Sequence, residues 1–460
     1  MQLANTTDLI VAAATPPGQG GVGIVRLSGP GAMQVAEQLR STDGKTQKPL
    51  RPRHATFARL YQAGEVIDEG LIIWYPAPHS FTGEDVVELQ VHGSPVVLQI
   101  LVGLACKLGA RVARPGEFSE RAFHNEKLDL TQAEAIADLI AAGSAQAARA
   151  AVRSLQGDFA STIYELAAAL EKVRMLVEAS IDFPEEDQDF LAGYQVPEQL
   201  AAQQQRIAEI LIHAERGQRL QEGVAVAILG PPNAGKSSLL NALTGEDAAI
   251  VADIPGTTRD LLKVDFVADG VPVRLVDTAG LRSTADEIEL QGIQRARVQA
   301  DAADILLVVL DASVEDYAGQ LDQVLKLAEL SASDPRLGLV INKSDLQPNL
   351  RITDGAIDQV PVIGQVSAKT HANLDQVRAH LAGGQHAADT PFLARARHVS
   401  CLEQAAAAIA NAQAMAQQKR ELELIAEELR SAGEQLGEIV GHTSADDLLG
   451  KIFSEFCIGK

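Results

Sequence analysis

The sequence is poor in cysteine and in aromatic residues. Three cysteines and an aromatic fraction of 4% are spread over 460 residues. The cysteines, at positions 106, 401 and 457, lie far apart and follow no metal-ligand spacing. This usage argues against a disulfide framework and suits a reducing cytoplasm. Internal repeats and low-complexity tracts are also missing from the sequence.

Long hydrophobic runs are missing as well. No stretch approaches the ~18 consecutive apolar residues of a membrane-spanning helix. Residues 1–18 have no basic segment ahead of their apolar part, so they do not resemble a signal peptide. We therefore expect a cytoplasmic protein without a membrane partner.

Positive charge is scarce: 39 lysines and arginines stand against 61 acidic residues, which gives a formal net charge of −22. A protein that grips nucleic acid unaided usually carries a basic face. The excess of acid therefore argues against extensive unaided contact with phosphates. The excess of acid serves solubility, or a local basic patch or a basic partner contacts the nucleic acid. The apolar fraction of 46% and the chain length fit about three globular domains.

What the sequence does contain is a phosphate-binding signature. Val224 to Leu229 is a short apolar run, typical of a buried strand. The next residues, 230–237, fit G-x-x-x-x-G-K-[ST], and apolar residues at helical spacing follow. In such a loop the backbone N–H groups and the helix N-terminus hold phosphate oxygens. Lys236 then reaches the β- and γ-phosphates, and the Ser237 hydroxyl binds Mg²⁺.

The segments around this loop differ in pattern. Residues 1–125 mix strands with helices and predict an α+β domain. Residues 126–222 and 384–460 are largely helical, whereas residues 223–383 alternate strands and helices in a parallel α/β pattern. The simplest architecture inserts the α/β domain into one helical domain that is built from two distant segments.

Individual elements follow from apolar spacing and from glycine or proline at the joints. In the first domain, strands are predicted at 22–27, 70–75 and 85–92 and helices at 32–39 and 95–108. Further helical stretches are predicted at 133–151, 163–181, 196–221, 401–422 and 425–440, and a capping box at 443–447 opens a last helix.

Further short motifs follow the phosphate loop in order. A strand at 273–276 ends in Asp277-Thr278-Ala279-Gly280. The aspartate can hold Mg²⁺ through water, and the glycine N–H can meet a γ-phosphate. Between the two motifs, a threonine of residues 256–260 can complete the Mg²⁺ shell and make that loop a γ-phosphate-sensitive switch.

Two later motifs indicate guanine. A strand at 338–341 leads into Asn342-Lys343-Ser344-Asp345. The Asp345 carboxylate can accept two hydrogen bonds from guanine, and adenine lacks both donors. Residues 367–369, Ser-Ala-Lys, can give a backbone N–H to guanine O6. Five motifs in this order resemble the translation-factor-like GTPases over all of residues 223–383.

One position departs from the Ras-like pattern. There a glutamine directly after D-x-x-G orients the attacking water, whereas Leu281 cannot hydrogen-bond water. Acidic candidates lie downstream at 286–289, and the alternative is an inefficient switch without a dedicated water ligand. No arginine finger is evident in the first loop. Asn233 is placed to coordinate a monovalent cation beside the phosphates, which can fill that role.

Taken together, the motifs resemble the MnmE (TrmE) family of bacterial tRNA-modification GTPases, which is TrmE-Era-EngA-like. The matching segments span the whole chain. They are ATPPGQGGVGIVRLSG (14–29), SFTGEDVVELQVHG (80–93), RPGEFSERAFHNEKLDLTQAEAIADLI (114–140), GPPNAGKSS (230–238), DIPGTTRD (253–260), DTAGLR (277–282), NKSD (342–345) and FCIGK (456–460). The terminal motifs are far more specific than the GTPase motifs, which many families share.

The resemblance implies a multidomain fold. Residues 1–125 would be an α+β domain that binds tetrahydrofolate and dimerises the protein. Residues 126–222 and 384–460 would be a discontinuous all-α helical domain, the second part ending in the FCIGK tail. Residues 223–383 would be an inserted α/β P-loop GTPase domain.

The resemblance also implies an activity. With the FAD-dependent partner MnmG, in a heterotetramer or larger complex, the homodimer would add an aminomethyl or carboxymethylaminomethyl group to C5 of the wobble uridine of certain tRNAs. The partner would contact most of the tRNA. The one-carbon unit would come from 5-formyl- or methylene-tetrahydrofolate, and GTP hydrolysis with Mg²⁺ would be required. K⁺ would promote dimerisation of the G domains and hydrolysis.

Site residues are implied by matching position. Glu289 falls on the catalytic glutamate, which acts on the attacking water through another water. Asn233, Thr257 and the backbone oxygens of Ala252 and Ile254 fall on the K⁺ site, and Ser237 and Thr258 fall on the Mg²⁺ ligands. The predicted GTP contacts are Asn233, Ala234, Gly235, Lys236, Ser237, Ser238, Thr257, Thr258, Asp277, Thr278, Ala279, Gly280, Asn342, Lys343, Asp345, Ser367, Ala368 and Lys369.

Arg26, Glu88, Lys127 and Lys460 fall on folate contacts. Cations suit the glutamate tail of a folate and a carboxylate suits its pterin. For each residue singly, the alternative is ordinary surface ion pairing. Cys457 lies in a tail that must reach the folate site of its own or a partner subunit. Its thiolate is either a nucleophile on a one-carbon unit or on uridine C6, or the residue is a small packing group beside the pterin.

A competing function is a regulatory GTPase switch that binds ribosomes or RNA without one-carbon chemistry. It explains the G domain equally well. It does not explain the N-terminal domain or the FCIGK tail.

Overall fold

The computed structural model describes residues 8–41, 49–182, 193–245, 266–276, 297, 300–314, 316–347, 356–357, 359–383, 390–418, 422–442, 446–454, 456 and 459. Several sequence predictions lie outside these ranges. They are the predicted site residues 252, 254, 257, 258, 277–280, 289, 457 and 460, and the residues 443–445 of the predicted capping box.

The first part of the chain builds a six-stranded sheet. Its strands are β1 (Ile10–Ala13), β2 (Gly20–Ser28), β3 (Thr56–Gln62), β4 (Glu65–Tyr75), β5 (Val86–Gly93) and β6 (Arg111–Val112), in the order β3-β4-β5-β2-β1-β6. Neighbouring strands pair antiparallel except β1 and β6. Helices α1 (Ala32–Arg40) and α2 (Pro95–Lys107) pack apolar residues on the sheet, and α3 (Glu117–His124) follows β6. The predicted strands and helices of this part are confirmed.

In the described part of residues 126–222 the helices are α4 (Leu130–Ala141), α5 (Ala145–Gln156), α6 (Asp158–Asp182) and α7 (Val196–Glu222). The stretch predicted as continuously helical over 133–151 is wrong in one respect, because it is two helices. Ser144 starts the second one: its side chain accepts a hydrogen bond from the Ala147 N–H at 3.1 Å. A side chain that satisfies a first-turn N–H favours a new helix start over continuation.

A seven-stranded sheet follows. Its strands and helices are β7 (Val224–Leu229), α8 (Lys236–Thr244), β8 (Phe266–Ala268), β9 (Val271–Leu275), β10 (Ile305–Asp311), α9 (Tyr317–Ala328), β11 (Leu337–Asn342), β12 (Ala356–Ile357), β13 (Val360–Gln365) and α10 (Leu374–Leu381). The order is β12-β13-β11-β10-β7-β9-β8. The five central strands are parallel, and the edge strands β8 and β12 are antiparallel to their neighbours. All residues of β7 and β11 are buried, as expected of strands covered on both faces.

The chain ends in three further helices, α11 (Ala396–Gln417), α12 (Leu422–Val440) and α13 (Asp446–Ser454). Residues of α11 and α12 share one hydrophobic core with α6 and α7, among them Leu166, Ile207, Leu402 and Leu436. The helical layer is therefore built from two segments separated by the α/β sheet, as predicted. The helix predicted at 401–422 begins and ends earlier than its alanine pattern indicates.

The α/β and helical parts meet at α5. Ala150 and Ala151 lie in the same core as Val224 and Phe266 of the sheet. The exact boundaries of the three domains, 125/126, 222/223 and 383/384, stay predictions. No helix in the described ranges is long and apolar enough to cross a membrane.

A buried ionic cluster ties the two helical segments together. Glu134 on α4 is 1% exposed and accepts two hydrogen bonds from Arg397, at 2.9 and 2.7 Å. The Nε2 atom of His398 lies 2.9 Å from the same carboxylate. One helical turn further, Asp138 pairs with Arg395 at 2.7 Å. Buried charges need such partners, so the cluster fixes how α11 sits on α4.

Candidate functional site

The loop after β7 has the backbone shape that phosphate binding requires. Gly230 and Gly235 have φ angles of 150° and 91°, in the region that favours glycine. A Cβ on Gly230 would strike the Val309 carbonyl oxygen, and one on Gly235 would strike the Asn342 side-chain amide. The loop therefore needs both glycines, for conformation and for space.

Lys236 opens helix α8 directly behind this loop. Its ammonium donates hydrogen bonds to the carbonyl oxygens of Gly230, at 2.8 Å, and Pro231, at 2.9 Å. Burial lowers the pKa of Lys236 from its ordinary value. The amine thus curls back over the loop and lies next to the backbone that would surround a phosphate.

Asn342 connects the phosphate loop to the later motifs. It is 1% exposed, and its Nδ2 donates to the Ala234 carbonyl oxygen at 3.0 Å. Its Oδ1 accepts the Ala368 N–H at 3.0 Å. One side chain therefore sets the spacing of three loops, those at 230–235, 342–345 and 367–369.

The side chain of Asp345 is oriented by the same network. Its Oδ1 accepts a hydrogen bond from the Ser367 hydroxyl at 2.7 Å, and that hydroxyl accepts the Thr370 N–H at 3.2 Å. The prediction gave residues 367–369 as a source of an N–H for guanine O6. The Ala368 N–H is directed at the Asn342 Oδ1 in this structure, and the contact of residues 367–369 with guanine O6 stays a prediction.

The predicted metal ligands are divided between described and undescribed residues. Ser237 lies in the first turn of α8, and Asn233 lies in the loop with a φ of 63°. Their predicted partners at 252, 254, 257 and 258 fall outside the described ranges. Within those ranges, no three His, Cys, Asp or Glu side chains gather to hold a metal. The Mg²⁺ and K⁺ sites stay predictions.

A second cluster of predicted residues lies on the first sheet. Arg26 on β2 and Glu88 on β5 face each other in the antiparallel register. Two guanidinium nitrogens of Arg26 donate to the Glu88 Oε1 at 3.0 and 2.9 Å. The guanidinium also stacks over the rings of Phe81 and Phe118, at 5.6 and 5.7 Å from their centroids.

The C-terminal tail reaches this cluster within one chain. Arg26 donates a third hydrogen bond, of 3.3 Å, to the Gly459 carbonyl oxygen. Gly459 has a φ of 95°, and a Cβ there would strike the Ala13 carbonyl oxygen. Upstream of it, Phe453 and Phe456 pack with Leu130 at the start of α4. In this single chain its own tail lies at Arg26, and whether the tail serves its own or a partner subunit's site stays a prediction.

Lys127 approaches the same region from another side. Its Cγ lies 3.4 Å from where a Cβ of Gly83 would stand. Gly83 belongs to the loop that also carries Phe81, so Lys127 and Arg26 contact one loop at two places. The remaining predicted folate contact, Lys460, lies beyond the described residues.

Sequence reasoning missed three aromatic residues of this cluster: Tyr75, Phe81 and Phe118. Burial raises the pKa of Tyr75, the charge of Glu88 raises it further, and Arg26 acts in the opposite direction. Tyr75 lies on β4 two residues beyond Ile73, which pairs with Glu88 in the antiparallel register. A signal was available, because Phe81 and Phe118 lie in the quoted motifs of a chain with an aromatic fraction of only 4%.

A cavity of about 260 Å³ lies elsewhere, between α6, α7 and residues 391–392. It includes none of the predicted site residues, so it is not the candidate site.

The fold and the first site together define a class of protein. A glycine loop follows the central strand β7 of a parallel sheet, and an Asn-Lys-x-Asp turn follows β11 two strands away. Asn342 joins the two. This arrangement is that of a P-loop nucleotide-binding domain of the GTPase type.

Known proteins identify the family. The MnmE helical domain matches residues 130–457, and the GTP-binding protein TrmE N-terminus matches residues 9–127. The tRNA modification GTPase MnmE of Pseudomonas paraeruginosa is 47% identical over 99% of both chains. Its counterpart in Xanthomonas campestris pv. campestris is 51% identical over 98% of both. The chain belongs to the MnmE family of tRNA modification GTPases.

Among solved structures, a GDP-bound NFeoB mutant of S. thermophilus aligns with 50% of this chain and 95% of its own, at 20% identity. Its TM-score of 0.22 is too low to support a conclusion.

Proposed function

We propose that this chain is the GTP-hydrolysing subunit of an enzyme that adds an aminomethyl or carboxymethylaminomethyl group to C5 of the wobble uridine of certain tRNAs. The name of its relatives, tRNA modification GTPase, supports the GTP and tRNA parts. The single observation that carries the one-carbon part is the meeting of Arg26 with Glu88 and with Gly459 of the C-terminal tail.

In this proposal the nucleotide lies across the loops joined by Asn342. The phosphates occupy the concave side of residues 230–235, where Lys236 exchanges its carbonyl partners for phosphate oxygens. Asp345, held by Ser367, accepts the two guanine donors. Base discrimination follows because a bound base would cover the Asp345 carboxylate, and adenine would leave it without the two donors that guanine supplies.

The metal ions belong to the same proposal. Ser237 and Thr258 would hold Mg²⁺, which neutralises charge on the β- and γ-phosphates when bound. Asn233, Thr257 and the backbone of Ala252 and Ile254 would hold K⁺, which supplies the positive charge of an arginine finger. Asn233 suits this role because the residue lies in the phosphate loop, next to Ala234, with a positive φ. Glu289 would act on the attacking water through a second water.

The folate would lie against the aromatic-lined ion pair. Glu88 offers a carboxylate acceptor for pterin N–H groups, and Arg26 is already fixed by Phe81 and Phe118. Lys127 and Lys460 would contact the anionic glutamate tail. The folate supplies the one-carbon unit when bound.

Cys457 has two proposed roles in this arrangement. The contact between Arg26 and Gly459 brings the tail to the ion pair, two residues after Cys457. The thiolate would attack a one-carbon unit or uridine C6, or the side chain would pack beside the pterin. A Cys457→Ser protein with full modification activity would remove the nucleophile role.

The assembly is proposed on the family's pattern. The N-terminal domain would form a homodimer, and the FAD-dependent MnmG would bind in a heterotetramer or larger complex. The net charge of −22 fits a division of labour in which the partner contacts most of the tRNA. The enzyme would work in the cytoplasm.

The test is calorimetric binding of 5-formyltetrahydrofolate to the full chain. We expect saturable binding to the wild type and its loss in Arg26→Ala and Glu88→Gln. Arg59→Ala is the matched control, because Arg59 and Glu69 form a cross-strand pair of 3.2 Å on β3 and β4 of the same sheet. The control should bind like the wild type.

The outcomes separate the two functions. If a folded, GTP-hydrolysing wild type takes up no folate, the one-carbon part falls and a regulatory GTPase switch remains. If Arg59→Ala loses folate binding as Arg26→Ala does, the loss reflects damage to the sheet and not to the folate site.

A further inference from the structure

Asp311 stands at the carboxyl end of β10, opposite Asn342 in the parallel register. Its Oδ2 accepts a hydrogen bond of 2.6 Å from the Lys343 ammonium. Its Oδ1 accepts the Ser313 N–H at 2.9 Å and the Ser313 hydroxyl at 2.7 Å. Both carboxylate oxygens are engaged, so the side chain is held in one orientation.

The backbone of Asp311 is held from both sides. Its N–H donates to Gln320 Oε1 on α9 at 3.0 Å, and its carbonyl oxygen accepts Gln320 Nε2 at 3.3 Å. The next residue, Ala312, donates its N–H to the Asn342 carbonyl oxygen at 2.9 Å. The carboxylate is thus a fixed point relative to the guanine-reading turn.

Lys343 reaches that fixed point past the phosphate loop. It has a φ of 64°, and its Cε lies 3.9 Å from where a Cβ of Gly235 would stand. Its neighbours in sequence are Asn342, bonded to the phosphate loop, and the turn that carries Asp345. The methylene arm of Lys343 therefore runs beside the phosphate loop on its way to Asp311.

We propose that Asp311 is a positioning residue for the guanine nucleotide. By holding the ammonium, it keeps the methylene arm of Lys343 extended as an apolar wall of the base and ribose pocket. Asp311 also neutralises the charge of the Lys343 ammonium. The positive charge at the phosphates then comes from Lys236, whose amine contacts neutral carbonyl oxygens in this loop. This inference rests on the proposed nucleotide site.

A positioning role and a purely structural role differ in what they change. A structural tie between the ends of β10 and β11 would affect thermal stability and leave nucleotide binding alone. A wall on the base side affects GDP and GTP equally, because both carry the same base and ribose. It raises KM and leaves kcat unchanged, because the contact is the same in the ground state and the transition state.

The experiment uses fluorescent GDP and a non-hydrolysable GTP analogue with the full chain, and steady-state GTP hydrolysis beside them. For Asp311→Ala we expect the Kd of both nucleotides and the KM to rise by roughly three- to tenfold, the size of effect expected when one ordinary contact to the nucleotide is weakened. In Asp311→Asn, which preserves the side-chain shape, the Kd and KM values should lie between those of the wild type and Asp311→Ala. The matched control is Asp322→Ala, since Asp322 and Lys326 form an exposed pair of the same 2.6 Å on α9.

Each result decides something. Unchanged affinity in a folded Asp311→Ala protein, weakening of GTP alone, or an equal change in the Asp322→Ala control would overturn the positioning role. A wild type that binds neither nucleotide would overturn the proposed nucleotide site, and this inference with it.

Discussion

The Arg26 guanidinium on the second strand donates a hydrogen bond to the Gly459 carbonyl oxygen at 3.3 Å. The same group pairs with Glu88 on the neighbouring strand. One cation therefore joins the first sheet to the last residues of the chain. The candidate folate site is assembled from both ends of the sequence.

The fit of the tail can be tested at Gly459. In Gly459→Ala the new Cβ would strike the Ala13 carbonyl oxygen, and the φ of 95° would be strained. We expect loss of 5-formyltetrahydrofolate binding with GTP hydrolysis retained, measured by calorimetry and phosphate release. Gly450→Ala on α13 is the control, because nothing lies within 4 Å of its Cβ position. Unchanged folate binding in Gly459→Ala would separate the tail from the site.

The phosphate loop has a comparable test. Gly235→Ala would push a Cβ against the Asn342 amide and impose a φ of 91° on alanine. We expect more than a tenfold loss of affinity for guanine nucleotides in a fluorescence titration. Gly31→Ala has a similar φ of 89° but open space around its Cβ, so it should lose stability and keep its affinity. Equal affinities in the two variants would contradict the close fit of the loop.

We expect the rate of GTP hydrolysis to depend on which monovalent cation is present. The family pattern predicts weak nucleotide affinity and fast intrinsic hydrolysis that K⁺ accelerates more than Na⁺. Asn233→Ala should lose that difference in a phosphate-release assay, because it removes the side-chain ligand. Asn241→Ala, at an exposed position of α8, should retain it. A need for an external activating protein, with no effect of K⁺, would oppose the whole mechanism.

Stability should depend on the ionic cluster between α4 and α11. Glu134→Ala leaves Arg397 and His398 without their buried partner, and breaking such a cluster costs about 3–5 kcal/mol. Glu165→Ala removes an exposed ion pair with Arg206 and should cost about 1 kcal/mol or less. Urea unfolding of both variants measures the difference. Similar midpoints would mean that the cluster contributes little.

The same cluster predicts a loss of stability in mild acid. Burial, only partly offset by Glu134, lowers the pKa of His398 to about 4. Between pH 6.5, the ordinary pKa, and about 4, the unfolded chain takes up a proton that the folded chain does not. Stability should therefore fall as pH drops through this window. In His398→Gln the urea midpoint should fall less between pH 7.5 and 5 than in the wild type, and an equal fall would exclude His398 as the cause.

Local patterns predicted much of the fold. The buried run before Gly230 and the apolar spacing after Lys236 place a strand, a loop and a helix, and the structure has all three. Such elements depend on neighbours a few residues apart. The break between α4 and α5 was missed because Ser144 interrupts an alanine-rich pattern with one side-chain hydrogen bond.

Contacts between distant segments were harder to predict. Glu134 and Arg397 are 263 residues apart, and neither local sequence indicates that the two residues pair. The stacking of Arg26 over Phe81 and Phe118 likewise joins a strand residue to a loop and a helix that lie far along the chain. Asp311 was missed because it ends a strand without belonging to a short motif, and only the structure brings it to Lys343.

The split helical layer also governs the order in which the protein can fold during synthesis. Helices α6 and α7 leave the ribosome before the α/β domain, yet their core needs Leu402 and Leu436 from α11 and α12. At roughly 5–20 residues per second, translating residues 224–395 takes on the order of 10–30 s. During that interval the first helices carry an uncovered apolar face. The bundle is therefore completed only after the α/β domain has been made, and the contact of Arg26 with Gly459 forms later still.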